Sequence, residues 1–253
     1  MNVKQLRVGK ALIFGLFIAS TLGLLGCDDN ELPGGGAGAG ITGDGDLGVG
    51  DGRDVITIGD SWMNLGVGAL SLGGIQTSLE KASGRTYRKY GVGGTKLLDG
   101  AIPGQYTRAK AEDPDIKTVI MTAGGNDILQ DPAILAECTA FTNACKTRID
   151  QVASRLVTLW DQMARDGVRD VVIIGYTRKA NIAGLPLADS AEYSNQVIAP
   201  LCEKVRAPLR CHALDSDTVF DGSTLEGIHP TARGFDAIGK GVWELMVSEG
   251  MRR

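Results

Sequence analysis

Hydrophobic and polar positions divide the chain into three stretches: an almost unbroken apolar run at residues 11–26, a stretch with no period at residues 28–54, and an alternation of β-like and helical patterns from Val55 onward. In the third stretch, Val55-Ile-Thr-Ile58, Thr118-Val-Ile-Met121 and Asp170-Val-Val-Ile-Ile174 are apolar at nearly every position, the pattern of strands covered on both faces in a parallel sheet. Each run stops at or just before a glycine: Gly59, Gly124 and Gly175. Thr86–Tyr90 and Leu209–Leu214 could supply two further strands. Between them lie helical periods. The clearest spans Thr147–Arg165, where Ile149, Val152, Leu156, Leu159, Trp160 and Met163 recur at threes and fours. A last amphipathic helix is expected over 231–248, with Phe235, Ile238, Val242, Leu245 and Met246 on one face. Strand–helix alternation predicts an α/β fold: a three-layer α/β/α sandwich around a central parallel sheet, flavodoxin-like, with ligands beyond the carboxyl ends of the strands.

The opening segment reads as an address. Lys4, Arg7 and Lys10 precede the 16 residues of Ala11–Gly26, fewer than the roughly 20 a spanning helix needs. The run closes on Leu24-Leu25-Gly26-Cys27, which resembles the lipobox of bacterial lipoproteins. That resemblance implies cleavage before Cys27, acylation of Cys27, and an exported protein lipid-anchored to the cell envelope. Residues 28–54 hold ten glycines and seven acids, too little apolar surface to offset ordering, and are expected to form a flexible tether. Gly43-Asp-Gly45-Asp-Leu-Gly48 formally matches a dinucleotide fingerprint. With no strand before it and no helix after it, the match fails on context. The folded domain is placed at 55–253.

Charge narrows the classes of partner. Of 253 residues, 26 are Lys or Arg and 30 are Asp or Glu, a net charge of −4, and removal of residues 1–26 leaves −7. No basic cluster offers an electrostatic footprint for nucleic acid. Apart from Cys27 the cysteines are Cys138, Cys145, Cys202 and Cys211. In an exported protein the two local pairings, Cys138 with Cys145 and Cys202 with Cys211, are favoured among the three possible. Nothing in the pattern calls for an oligomer, and the protein is expected to be a monomer.

The chemistry belongs at the strand ends. Gly59-Asp60-Ser61 puts a hydroxyl at a strand-to-helix turn where backbone N–H groups could bind an oxyanion. Gly91-Val92-Gly93-Gly94-Thr95 allows backbone to approach a substrate. Gly124-Gly125-Asn126-Asp127 offers an amide donor, and Glu226-Gly-Ile-His229 holds one of only two histidines, the other being His212. Each signal is weak singly. In this order, each at its own place in the alternation, they resemble the SGNH (GDSL-like) hydrolase family.

That resemblance implies an esterase working through an acyl-serine intermediate, without metal or organic cofactor, on an ester substrate such as an acylated glycan or a small acyl ester. It makes Ser61 the nucleophile and His229 the general base. The backbone N–H groups of Ser61 and Gly94 and the side-chain amide of Asn126 become the oxyanion donors. The family usually has Asp three residues before the histidine, where this chain has Glu226. By spacing Glu226 is the candidate third member, with Asp221 or a backbone carbonyl as alternatives. Deacetylation of polysaccharide is the expected reaction, with short-chain lipase, lysophospholipase or thioesterase activity beside it. A non-catalytic surface lipoprotein that binds glycan or lipid is the reading outside the enzyme class. Asp60 and Asp127 are expected to hold their own turns. Ala69-Leu-Ser71-Leu-Gly73 approximates a nucleophile elbow, but no strand leads into it.

Overall fold

The computed structural model describes residues 52–65, 73–221 and 224–253. Cys27, the signal expected at residues 1–26, most of the expected tether and the elbow-like segment around Ser71 lie outside them. The described elements run β1 (Val55–Ile58), α1 (Gly74–Ser83), β2 (Arg88–Lys89), α2 (Ala101–Glu112), β3 (Thr118–Met121), α3 (Gly125–Leu129), α4 (Pro132–Thr139) and α5 (Asn143–Arg165). They continue with β4 (Asp170–Gly175), β5 (Asn181–Ile182), β6 (Leu185–Pro186), α6 (Ala188–Cys202), β7 (Arg210–Asp215), β8 (Leu225–Glu226), β9 (His229–Pro230) and α7 (Ala232–Ser248).

Five strands form the central sheet in the order β2-β1-β3-β4-β7, every neighbouring pair parallel. Alternate residues of each strand feed two separate cores, which is why the runs read as continuously apolar. Ile56, Ile58, Val119, Met121, Val171 and Ile173 pack against α2, α5 and α6, including Tyr106, Leu156 and Trp160. Val55, Ile120, Val172 and Ile174 pack on the opposite face against Ile75 and Leu79 of α1 and Phe235, Ile238, Val242 and Met246 of α7. Burying a side chain of this size completely is worth roughly 1.5–3 kcal/mol, so the sandwich is held by many such increments on both faces.

The predicted strands and the two predicted helices are present, and the expected sandwich is the fold. The strand expected at 86–90 shortens to Arg88–Lys89, and two other boundaries differ for a physical reason. Helix α5 starts four residues earlier than its apolar period, because the Thr142 hydroxyl caps it by accepting from the Ala144 N–H. Gly52–Asp54, assigned above to the tether, belong to the folded body. The Asp54 carboxylate accepts from Arg252 Nε at 2.7 Å, and its carbonyl accepts from the N–H groups of Lys117 and Thr118, tying the segment before β1 to the start of β3 and to Arg252.

Both local disulfides form. Cys138–Cys145 joins α4 to the first turn of α5 across seven residues. Cys202–Cys211 joins the end of α6 to the edge strand β7.

The order of the sheet decides where a ligand can sit. The chain leaves β1 for β2 on one side and returns through α2 to β3 on the other side of β1. The carboxyl ends of β1 and β3 therefore flank a topological switch point, where the following connections splay apart and leave a crevice.

Candidate active site

Four loops meet at that crevice. The first begins at Gly59, whose φ of +139° turns the chain sharply out of β1. A side chain there would collide with Thr122, since an added Cβ would sit 2.3 Å from Thr122 Oγ1. Gln105 of α2 clamps the same peptide from the other side, accepting from Gly59 N–H at 2.6 Å and donating to Gly59 O at 3.0 Å. Asp60 then closes the turn by accepting from Trp62 N–H at 3.1 Å, and Asn64 N–H donates back to Asp60 O. Ser61 thus sits on one hydrogen-bonded turn. The expected helix N-terminus is not immediately behind it, because α1 begins only at Gly74.

The second loop runs Gly91–Thr95. Gly94 has φ +81°, and its carbonyl accepts from Gln130 Nε2 at 2.8 Å. Gly93 packs closest to the serine: an added Cβ there would lie 3.9 Å from Ser61 Cβ. Thr95 ties this loop to the first, its hydroxyl contacting Gly59 O at 3.0 Å. The third loop carries Asn126 in the first turn of α3. One of the hydrogens on Asn126 Nδ2 goes to Thr95 O at 3.1 Å, leaving the second free to point elsewhere. Asp127 does not hold its own turn, as its type suggested. It reaches 30 residues back to accept from the N–H groups of Leu97 and Leu98 at 2.8 and 2.9 Å, fixing the second loop to the third.

The fourth loop is a minimal hairpin. β8 and β9 are two residues each, and Glu226 stands directly opposite His229 in register. His229 Nε2 lies 2.9 Å from Ser61 Oγ. The indole N–H of Trp62 donates to Ile228 O at 2.8 Å, so the residue after the serine grips the backbone just before the histidine. Glu226 is exposed, and among the described residues its side chain carries no hydrogen bond or ion pair, to His229 or to anything else. Asp221 lies on the surface, paired with Arg233.

Electrostatics at the crevice follow from burial. Desolvation holds the His229 imidazole below its ordinary value, with the negative charge of Asp60 pulling the other way. The neutral ring that results can take a proton from the hydroxyl 2.9 Å away. Burial also pushes the Asp60 carboxyl above the usual range, opposed by the hydrogen bonds from Tyr176, Trp62 and Thr122 and by His229. Tyr176, just past the end of β4, donates its hydroxyl hydrogen to Asp60 Oδ2 and accepts from Gly125 N–H at 3.3 Å. Gly125 is needed for this contact, since an added Cβ would lie 2.9 Å from Tyr176 Cζ.

An apolar cavity of about 70 Å³ opens beside the pair. Ser61, Asn126 and His229 line it, with Ile128, Leu129, Ile149, Val152, Leu187 and Ala191 as the main apolar wall and Thr177, Ser190 and Ser194 among them. The Cys138–Cys145 disulfide packs behind this wall with Ile149 and Ile128. His212 lies elsewhere, on β7 beside Asp170, consistent with a packing role. Among the described residues no group of three or more His, Cys, Asp or Glu side chains could hold a metal ion.

The structure therefore brings Ser61, His229 and Asn126 together, places the Gly93–Gly94 loop against them, and leaves Glu226 on the surface. Thr122, Gln105, Gln130 and Tyr176 form the supporting frame, and the sequence assigned none of them a role at the site. Thr122 and Tyr176 had a usable signal, for each directly follows a strand end.

This constellation on a parallel sheet is that of a serine hydrolase. The sequence matches the model of the GDSL-like lipase/acylhydrolase family over residues 57–237, and the chain belongs to that family, a group of ester-bond hydrolases of the SGNH type. Among solved structures it is similar to a catalytic variant of an acetylxylan esterase from Geobacillus stearothermophilus, at 14% identity and a TM-score of 0.56, covering 81% of this chain and 99% of that one. It is also similar to a protein assigned as an arylesterase from Agrobacterium tumefaciens, at 21% identity and a TM-score of 0.53, covering 77% and 98% of the two chains. Among curated proteins no sequence matches the chain.

Proposed function

We propose that the protein hydrolyses short O-acyl esters through an acyl-serine intermediate. The observation that carries this reading is the 2.9 Å contact between Ser61 Oγ and His229 Nε2 at the mouth of an apolar cavity. Ser61 Oγ attacks the ester carbonyl carbon while its proton passes to His229 Nε2. The charge that forms on the carbonyl oxygen is met by the N–H groups of Ser61 and Gly94 and by the free hydrogen of Asn126 Nδ2. The bond to the alcohol oxygen then breaks as His229 returns the proton to it. Water repeats the sequence on the acyl-enzyme and frees the acid.

The cavity supports a short acyl group as the part of the substrate that is bound. Its walls are mainly apolar and offer an acyl chain contact with Ile128, Leu129, Ile149, Val152 and Leu187. A single water needs only about 10–15 Å³ of such space, so the cavity takes more than an acetyl methyl. Polysaccharide deacetylation is the physiological reaction we favour. The likeness to an acetylxylan esterase and the long Gly/Asp-rich segment before the domain support it. The lipobox-like Leu24–Cys27 supports export and anchoring through Cys27, in keeping with two disulfides.

Hydrolysis of p-nitrophenyl esters from acetate to decanoate, beside acetylated xylan, tests the reading. Turnover on acetate through butyrate, abolished in Ser61→Ala, is the expected result. Equal slow release by wild type and Ser61→Ala on every ester would overturn it. Incorporation of labelled palmitate in a bacterial host, lost in Cys27→Ala, tests the anchor.

A further inference from the structure

Glu226 has the spacing of a triad acid and none of its contacts, while a different carboxylate is buried at the site. Asp60 is 2% exposed and immediately precedes the nucleophile. Its three contacts all present hydrogens to it. The Trp62 N–H can only donate. Thr122 Oγ1 accepts from Asp60 N–H at 3.2 Å, which leaves its own hydrogen for Asp60 Oδ1 at 3.0 Å. The Tyr176 hydroxyl accepts from Gly125 N–H, which leaves its own hydrogen for Asp60 Oδ2. A carboxyl surrounded by three donors is satisfied as an ionised acceptor and would lose one of them if it carried a proton. Asp60, Tyr176 and His229 all line the same cavity mouth.

We propose that Asp60, held ionised by the Tyr176 hydroxyl, is the positioning carboxylate for His229, in place of the Glu226 that sequence spacing singles out. Asp60 acts through space. It touches no reacting atom, and its fixed negative charge stabilises the imidazolium that forms each time His229 takes the serine proton. In a site walled by Trp62, Tyr176 and the apolar cavity, such a charge is screened far less than it would be in water. Tyr176 is the second positioning residue: it links the serine turn through Asp60 to the Asn126 loop through Gly125, so one phenol sets the separation of nucleophile and oxyanion donor. The charged and titratable groups facing this cluster are His229 from β9, Tyr176 from the end of β4 and Asp127 from α3, with Glu226 across the hairpin.

The inference rests on the esterase reading but is tested apart from it. The protein has only two histidines, so imidazole NMR titration follows His229 directly, with His229→Ala identifying its signal. This readout needs no substrate. In Asp60→Asn the His229 midpoint should fall by about one pH unit, the usual scale for loss of a nearby opposite charge. In Glu226→Gln it should stay in place. On the best p-nitrophenyl ester, Asp60→Asn should also move the acid limb of kcat/KM to lower pH while the plateau drops, and Tyr176→Phe should lower kcat about tenfold with KM within twofold. An unmoved midpoint in folded Asp60→Asn overturns the proposal. So does a downward shift in Glu226→Gln, an exposed change that tests it even if Asp60→Asn fails to fold, and so does full kcat in Tyr176→Phe. Failure of the esterase reading would show instead as wild type no better than Ser61→Ala, with the titrations unaffected.

Discussion

The serine turn and the histidine hairpin carry the two groups on which the proposed reaction depends, and they are built in opposite ways. Residues 59–62 are clamped from three elements: Gln105 of α2 and Thr122 at the end of β3 hold the backbone, and Tyr176 beyond β4 holds the carboxylate of Asp60. The hairpin of 225–230 has two residues in each strand and is joined to the serine turn by one indole hydrogen bond and by the Ser61–His229 contact itself. Each segment carries a carboxylate near the chemistry. Asp60 is buried and fully hydrogen-bonded, whereas Glu226 is exposed and, among the described residues, unengaged. A charge acts on a neighbour according to the solvent it has lost and not according to its distance along the chain, so the buried acid matters more here.

Removing the reacting groups tests the part the two segments share, and has the largest effect. Ser61→Ala and His229→Ala should each lower kcat on p-nitrophenyl butyrate by on the order of 10⁴ or more, and the double variant should be little worse than either, since the pair acts as a unit. Asn126→Ala should cost on the order of 10²–10³ in kcat with KM nearly constant, read on the same substrate. A loss confined to KM would mean that the amide binds ground state and transition state alike.

The clamp around the serine is best broken at Gly59. Gly59→Ala forces a Cβ into Thr122 in a backbone conformation that alanine rarely adopts, and should destabilise the fold by about 2–3 kcal/mol in urea unfolding. The looser hairpin is sharpened by Trp62→Phe, which keeps the ring contacts but removes the hydrogen bond to Ile228 O. A fall of a few fold in kcat/KM, about 1 kcal/mol, is expected. The smallest effect concerns proton balance. Because burial holds His229 below its ordinary 6.5, kcat/KM in wild type should rise with a midpoint below that value, as the ring loses its proton and becomes able to accept one. A midpoint at or above 6.5 would show that the charge of Asp60 outweighs the desolvation.

Local pattern marks much of this architecture. The strands at 55–58, 118–121 and 170–174 were legible because both faces of a covered parallel strand are apolar. Helices α5 and α7 were legible because long amphipathic periods are local signals. Helix α2, which contains Pro103 and Gly104, and α6, which contains Pro200, carry weaker patterns and take their place from packing. The site was half legible. Ser61, Asn126 and His229 were legible as candidates because Ser61 and Asn126 stand just beyond strand ends and His229 closes a Glu-Gly-Ile-His spacing. The roles of Gln105, Thr122 and Tyr176 were not: Thr122 and Tyr176 follow strand ends, but the three meet the serine turn across 46, 62 and 116 residues in that order, and no local pattern encodes those meetings.

The sequence by itself determined the strand and helix runs, the glycine-marked turns, the local cysteine pairs and the identity of the groups that can attack and accept a proton. Each of these depends on neighbours in the chain, through backbone sterics and side-chain periodicity. Tertiary structure decided which carboxylate lies in a low dielectric, which phenol completes its hydrogen bonds, and that the cavity beside Ser61 is apolar. Burial and field strength arise from groups brought together by the sheet order, and no spacing along the chain encodes them.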